Sequence, residues 1–156
     1  MTTTHNDNAT TWRDLADALT PTQVAYLEDW ERKPIPGFDD AGAHQRGLLH
    51  AAKEFTGSNA AATYYADVAS PPDARRIDVW MDEGDACWLR RFDGTSRVVD
   101  NVTVYISGVQ TGDGRIEREI LVSPNTFGDD GYMPAATARR LASALVEAAD
   151  ELDRLG

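Results

Sequence analysis

Val102-Thr103-Val104-Tyr105-Ile106-Ser107-Gly108-Val109-Gln110-Thr111-Gly112-Asp113-Gly114-Arg115-Ile116-Glu117-Arg118-Glu119-Ile120-Leu121-Val122 decides the fold class. Side chains alternate across a strand, so a strand covered on one side carries apolar residues at every second position. Val102, Val104 and Ile106 keep that period before Gly112-Asp113-Gly114, and Ile116, Ile120 and Val122 keep it after. A three-residue loop puts all six on one face, whereas a two-residue loop divides them, so burial selects the three-residue hairpin. The glycines from Gly108 to Gly114 are read as turn glycines, because a phosphate cradle needs a strand followed by a helix N-terminus.

Working outward, the same period appears upstream. Ile77, Val79 and Met81 alternate with Asp78, Trp80 and Asp82, and after Glu83-Gly84 a second run carries Trp88 and Phe92, which predicts another hairpin. Asp93-Gly94 and Asp100-Asn101 read as two more tight turns, with Thr95–Val99 a short strand between them. Downstream of the Gly/Asp-rich stretch 124–131, Pro134 opens a final helix in which Ala138, Leu141, Leu145, Ala148, Leu152 and Leu155 form a three-four stripe. That stripe suits packing across the sheet; the same spacing also supports pairing of two copies of the helix.

The N-terminal part has helical period. Thr11 and Asp14 mark a short helix, with the Thr11 hydroxyl as cap and Trp12, Leu15 and Leu19 on one face. Thr20-Pro21-Thr22-Gln23 combines a capping-box Thr and Gln with Pro at the first helical position, and Lys33-Pro34-Ile35-Pro36-Gly37 stops that helix. Asp39 or Asp40 caps a longer helix reaching Asp67, in which Leu48, Ala52, Phe55, Asn59, Ala62 and Ala66 pass through Gly57 unbroken.

These elements predict an α+β fold: N-terminal helices, an antiparallel four- to five-stranded meander sheet, and a C-terminal helix packed on the sheet. Residues 1–10 read as a loose polar tail and 11–156 as one domain, helical over 11–69, sheet over 75–123 and helical again over 134–155.

Composition narrows the function classes. The net charge of −11 is shared by both halves, −5 over residues 1–70 and −6 over 71–156, so no basic patch is expected to hold nucleic acid directly. No apolar run reaches eighteen residues and no signal peptide precedes Thr11, which predicts a cytoplasmic protein that neither spans nor enters a membrane. The single cysteine, Cys87, forms no disulfide and has no His or Lys beside it in sequence to activate its thiol.

Catalytic, cofactor and metal motifs are not found. His44 and His50 lie six positions apart, on different helix faces, and the acidic turns at Asp82-Glu83-Asp85 and Asp129-Asp130 lack EF-hand spacing. Two sets of residues remain as candidates. Opposite Ile77, Val79 and Met81, the sheet presents Trp80, Cys87 and Leu89, a candidate partner surface unless the N-terminal helices cover it. Arg118, between Ile116 and Ile120, and Arg90, between Trp88 and Phe92, are candidate contacts for an anionic ligand, with Glu147 and Asp150 as their alternative structural partners.

Leu19-Thr20-Pro21-Thr22-Gln23-Val24-Ala25-Tyr26-Leu27-Glu28, Ile106-Ser107-Gly108-Val109-Gln110 with Asp113-Gly114, and the segment from Ala138-Arg139-Arg140-Leu141 to Ala148-Ala149-Asp150-Glu151 carry a resemblance. Together they resemble a group of small uncharacterised proteins of actinobacteria, mycobacteria especially, and of their phages. The resemblance implies a source and a mobile-element setting, and no catalytic residue.

The functional expectation is a non-enzymatic accessory or regulatory module that binds an unidentified protein partner, with a homodimer through the C-terminal helix as a further possibility. Two alternatives stand beside it: an acidic decoy of a nucleic-acid-binding surface, and a small enzyme or ligand-binding domain whose site is assembled from distant residues such as Arg118, Arg90 and Glu147.

Overall fold

The computed structural model describes residues 8–33, 41–84, 87–124 and 133–156. The fold is α+β, with helices before and after a set of antiparallel strands and the C-terminal helix packed on the sheet. The chain divides into two compact units, Met1–Ala66 with Trp80–Asp82, and Asp67–Val79 with Glu83–Gly156. Among the described residues no helix is long and apolar enough to cross a membrane.

The first unit contains a 3₁₀ helix, Trp12–Ala18, then α1, Pro21–Arg32, α2, Ala41–Tyr64, and the short strand β2, Met81–Asp82. At the 3₁₀ helix the acid caps: the Asp14 carboxylate accepts the backbone N–H groups of Thr10 and Thr11, both at 2.9 Å. Thr11 and Asp14 form the expected capping box, with the Thr11 side chain facing the Asp14 N–H and the Asp14 carboxylate reaching back to the Thr11 N–H.

Helix α1 starts on its expected capping box. Gln23 N–H donates to the Thr20 hydroxyl at 3.3 Å, and the Gln23 side chain accepts the Thr20 N–H at 2.8 Å. Asn59 of α2 extends the box, donating to Gln23 Oε1 and to the Ala18 carbonyl, both at 2.9 Å. The polar member of the expected α2 stripe therefore ties α2 to the turn before α1. Thr20→Ala is expected to cost about 1 kcal/mol, read as faster hydrogen exchange of the first-turn amides of α1; unchanged exchange there would rule out the cap.

The core beneath these helices is Trp12, Leu15, Leu27, Leu48 and Ala52, flanked by Val24, Trp30 and Phe55. Helix α2 runs unbroken through Gly57, as its apolar register predicts, and ends at Tyr64 instead of Asp67. Its buried positions move to Ser58 and Ala61, leaving Ala62 and Ala66 exposed. An α-helix drifts by about 20° per seven residues against a seven-residue repeat, so a stripe extrapolated across two heptads leaves the buried face. The proposed caps Asp39 and Asp40 lie outside the described residues.

In the second unit, β1, Arg76–Ile77, β3, Trp88–Val99, β4, Val102–Thr111, and β5, Ile116–Pro124, form an antiparallel sheet in the order β1-β3-β4-β5. The three-residue loop is present: Gln110 pairs with Ile116, and Thr111 N–H donates to the Arg115 carbonyl at 2.9 Å. Val104 faces Val122 and Ile106 faces Ile120, so the six apolar residues share one face. Helix α3, Ala135–Leu155, packs there through Ala144 and Ala148 against Val99 and Val104, with Leu141, Leu145 and Ile120 around them.

Leu141, Leu145, Ala148, Leu152 and Leu155 of the expected stripe lie on the buried or half-buried side of α3, while Ala138 is exposed and Thr137 is buried in its place. A turn-to-helix clasp holds the start of α3 on the sheet. Asp100, at φ 54° in the Asp100-Asn101 turn, accepts the Thr137 hydroxyl at 2.6 Å and the Arg140 guanidinium. Arg97 of β3 reaches Glu147 at 3.3 Å and Glu151 at 2.6 Å on α3, closing the other side.

One expected turn is absent. Asp93-Gly94 lies inside the continuous strand β3, where the register shifts between Asp93 and Ser96. The extra residue is accommodated within the strand as a bulge, and Gly94 lies close against Ile106 of β4, where a Cβ would be 3.4 Å from the Ile106 side chain. Gly108 is not a turn glycine either: it lies mid-strand, opposite Phe92 on β3 and Arg118 on β5.

Candidate functional site

The sheet of the second unit has two faces of different character. On the helix-bearing face, beyond α3, the segment after α2 folds back over Arg90, Phe92, Gly108, Gln110 and Arg118. Gln110 is 2% exposed and donates to the Ala69 carbonyl at 2.8 Å. Arg90 donates to Gln110 Oε1 at 2.9 Å and to the Val68 carbonyl at 3.0 Å. Arg118 holds Asp73 with two hydrogen bonds, at 2.7 and 3.0 Å, the side chains only 10% and 9% exposed.

Both arginines singled out as anion contacts are therefore engaged from within the chain. The Asp73 carboxyl is held below its ordinary range, chiefly by the hydrogen bond from Arg118, while burial opposes the shift. Arg90 sits on two neutral acceptors, and burial pushes its guanidinium pKa down. Glu147, expected as a partner of these arginines, pairs instead with Arg97. Arg118, Arg90 and Glu147 thus belong to separate interactions.

Trp80 is 4% exposed, with its ring centroid 4.9 Å from that of Tyr65 after α2. It is a core residue of the first unit, whereas Val79, expected inside, is 67% exposed. The inversion follows from the break between β1 and β2: after Asp78, whose N–H still donates to the Arg91 carbonyl, strand pairing is interrupted before β2 begins, so alternation no longer carries the face assignment across Val79 and Trp80. Cys87 is exposed, and Leu89 is half-buried opposite Thr111.

Leu89 belongs to the other, outer face of the sheet. Antiparallel register places Arg91 beside Val109, Asp93 beside Ser107, Ser96 beside Tyr105 and Val98 beside Thr103 on that face. The bulge between Asp93 and Ser96 bends β3 there, and bulges commonly re-aim side chains next to functional sites. An open groove of about 420 Å³ results, lined by Arg76, Asp78, Arg91, Asp93, Ser96 and Tyr105, with Gly94 and Ser107 completing it.

The charges of the groove form a checkerboard. Arg76 sits across from Asp93 and two residues before Asp78, and its guanidinium reaches Asp78 at 2.9 Å and Asp93 at 3.5 Å. Both carboxylates thus gather on this one arginine, and the hydrogen bond to Asp78 raises its pKa. Beside them, the Ser107 hydroxyl donates to the Phe92 carbonyl at 3.3 Å.

Arg76, Arg91, Ser96 and Tyr105 were not among the residues selected from sequence. Their signal is present in the odd-numbered positions of β4, where Tyr105, Ser107 and Val109 mix polar and apolar types. Reading Asp93-Gly94 as a chain reversal separated Arg91 from Ser96 and hid the continuity of the groove.

Of the two histidines of α2, His50 pairs with Glu54 at 3.4 Å and His44 stacks edge-on against Trp30 at 6.0 Å between centroids. Comparison of the chain with protein-family models, with curated proteins and with solved structures finds no match.

Proposed function

We propose that the chain is a non-enzymatic accessory module that docks another protein on the outer face of its sheet. The observation that carries this reading is the asymmetry of the second unit: α3 and the segment after α2 occupy one face, and the other holds a groove with exposed apolar residues beside it. Val98 is 67% exposed there, and Leu89, Tyr105, Val109 and Leu121 are half-buried along the same face. A mixed surface of aromatic, aliphatic and arginine side chains is the composition of a protein interface more than of a merely solvated sheet.

The decoy alternative draws less support. A decoy needs rows of free carboxylates, yet acids lie in both units and Glu31, Asp73, Asp93, Asp100, Glu147 and Glu151 are each paired with an arginine.

A photo-crosslinking amino acid at position 98 tests the docking face, with position 146 as control because Val146 is 60% exposed on α3. In extracts of the source cell, position 98 is expected to give a discrete protein adduct that persists at high salt, since an apolar contact is not screened. An adduct from position 146 with none from 98 would move the interface to the helix.

A further inference from the structure

We infer that Arg91 is the anchor of this docking face and takes a carboxylate side chain from an extended segment of the partner. The inference rests on the docking reading above and adds the chemistry of the occupant.

Three arginines project from the outer face among the described residues: Arg76, Arg91 and Arg115. Arg76 is held by Asp78 and Asp93, and Arg115 by Glu117 at 2.6 Å. Arg91 stands next to Asp78 across the strands, where Asp78 N–H donates to the Arg91 carbonyl at 2.8 Å, yet makes no ion pair with its carboxylate. Arg76 has taken that acid.

The groove thus contains two guanidiniums and two carboxylates, with both carboxylates gathered on one guanidinium. What remains is one planar, permanently charged fork at the rim of a cavity. Its size, about 420 Å³, suits a few side chains and not a domain.

That arrangement selects among anions. A guanidinium matches a carboxylate bidentately, two parallel N–H groups to two oxygens. A phosphate brings nearly two charges beside Asp78 and Asp93, whose repulsion a single unpaired arginine does not offset. A cationic side chain meets carboxylates already engaged by Arg76. A singly charged Glu or Asp is the remaining fit, and the Ser96 and Tyr105 hydroxyls line the same groove as additional donors. Val98, the next outward residue after Ser96, offers apolar contact to the neighbouring positions of the segment.

The test uses the full chain and immobilised nine-residue peptide pools, random except for a central Glu, Gln or Lys. Wild type is expected to retain the Glu pool about fivefold over the Gln pool, the effect of one ion pair at a partly exposed site. Arg91→Gln, an exposed position whose replacement leaves the fold intact, is expected to bring that ratio to about one, and Arg91→Lys to restore part of it.

Val98→Asp is expected to weaken retention of every pool. If Val98→Asp does so while Arg91→Gln leaves the Glu preference in place, the anchor is overturned and the docking face stands. Retention of no pool, or indifference to both substitutions, overturns both. Displacement of the Glu pool by inorganic phosphate at lower concentration than by acetate overturns the carboxylate assignment.

Discussion

Asp73→Ala is expected to lower the stability of the second unit by about 3 kcal/mol. The Asp73–Arg118 pair is nine-tenths buried, and its guanidinium lies 5.8 Å from the centre of the Phe92 ring. Removing the acid leaves a charge in poor solvent without its two hydrogen bonds, which costs more than the pair contributes. Asp73→Leu combined with Arg118→Met is therefore expected to recover most of the loss. Native-state hydrogen exchange of the β4 amides is the appropriate readout, because β4 is paired on both sides, with β3 and with β5. A loss under about 1 kcal/mol would show the pair to be screened by water.

The same pair gives a pH dependence with a definite sign. Arg118 holds the folded-state pKa of Asp73 below its unfolded value of about 3.9. The associated stabilisation is present above the unfolded pKa and is lost as pH falls through the folded one. The difference in stability between wild type and Asp73→Ala is thus expected to shrink below about pH 4.

Gly108→Ala is expected to cost about 3 kcal/mol, at the upper end of overpacking effects. A Cβ on Gly108 would lie 2.5 Å from Phe92 Cε1 and 2.6 Å from the Glu117 carbonyl oxygen. The ring has an escape route through a smaller side chain, but the carbonyl belongs to the neighbouring strand, where Val109 pairs with Glu117. Phe92→Leu in the Gly108→Ala background is therefore expected to recover part of the stability, whereas Phe92→Leu alone is destabilising. A Gly108→Ala protein within 0.5 kcal/mol of wild type, by denaturant unfolding followed through β4 exchange, would contradict this close approach.

Gly108 also shows what a linear reading misses. Its neighbours in the chain suggest a turn glycine, but its neighbours across the strands explain it: Phe92, Gly108 and Arg118 form one row, in which the missing Cβ makes room for the ring. Gln110, two residues on, is buried because the Ala69 carbonyl and the Arg90 guanidinium, 41 and 20 residues away in the chain, need a polar partner. The Ile106-to-Gln110 motif thus has a structural account in packing and hydrogen bonding on the covered face.

The candidate site was less legible than the fold. Arg90 and Arg118 drew attention as charges on an apolar face, and each proved to be satisfied from within the chain. Arg91 looked unexceptional because an arginine on an outer face is the rule; its interest arises from Arg76 having taken both neighbouring acids. Trp80 shows the opposite error, a surface residue by alternation and a core residue once β1 and β2 separate.

What the amino-acid sequence determined by itself is local and periodic: the capping box at Thr20 and Gln23, the helix through Gly57, the three-residue loop at Gly112 to Gly114, and the six apolar residues that make one sheet face. These depend on backbone preferences and on burial along a single element, and both are written in consecutive residues. Tertiary structure alone decided which acid meets which arginine, and that Asp93-Gly94 bulges instead of turning. Those outcomes depend on energies between residues distant in the chain, where one guanidinium competes with another for the same carboxylate, and no local pattern records the result of that competition.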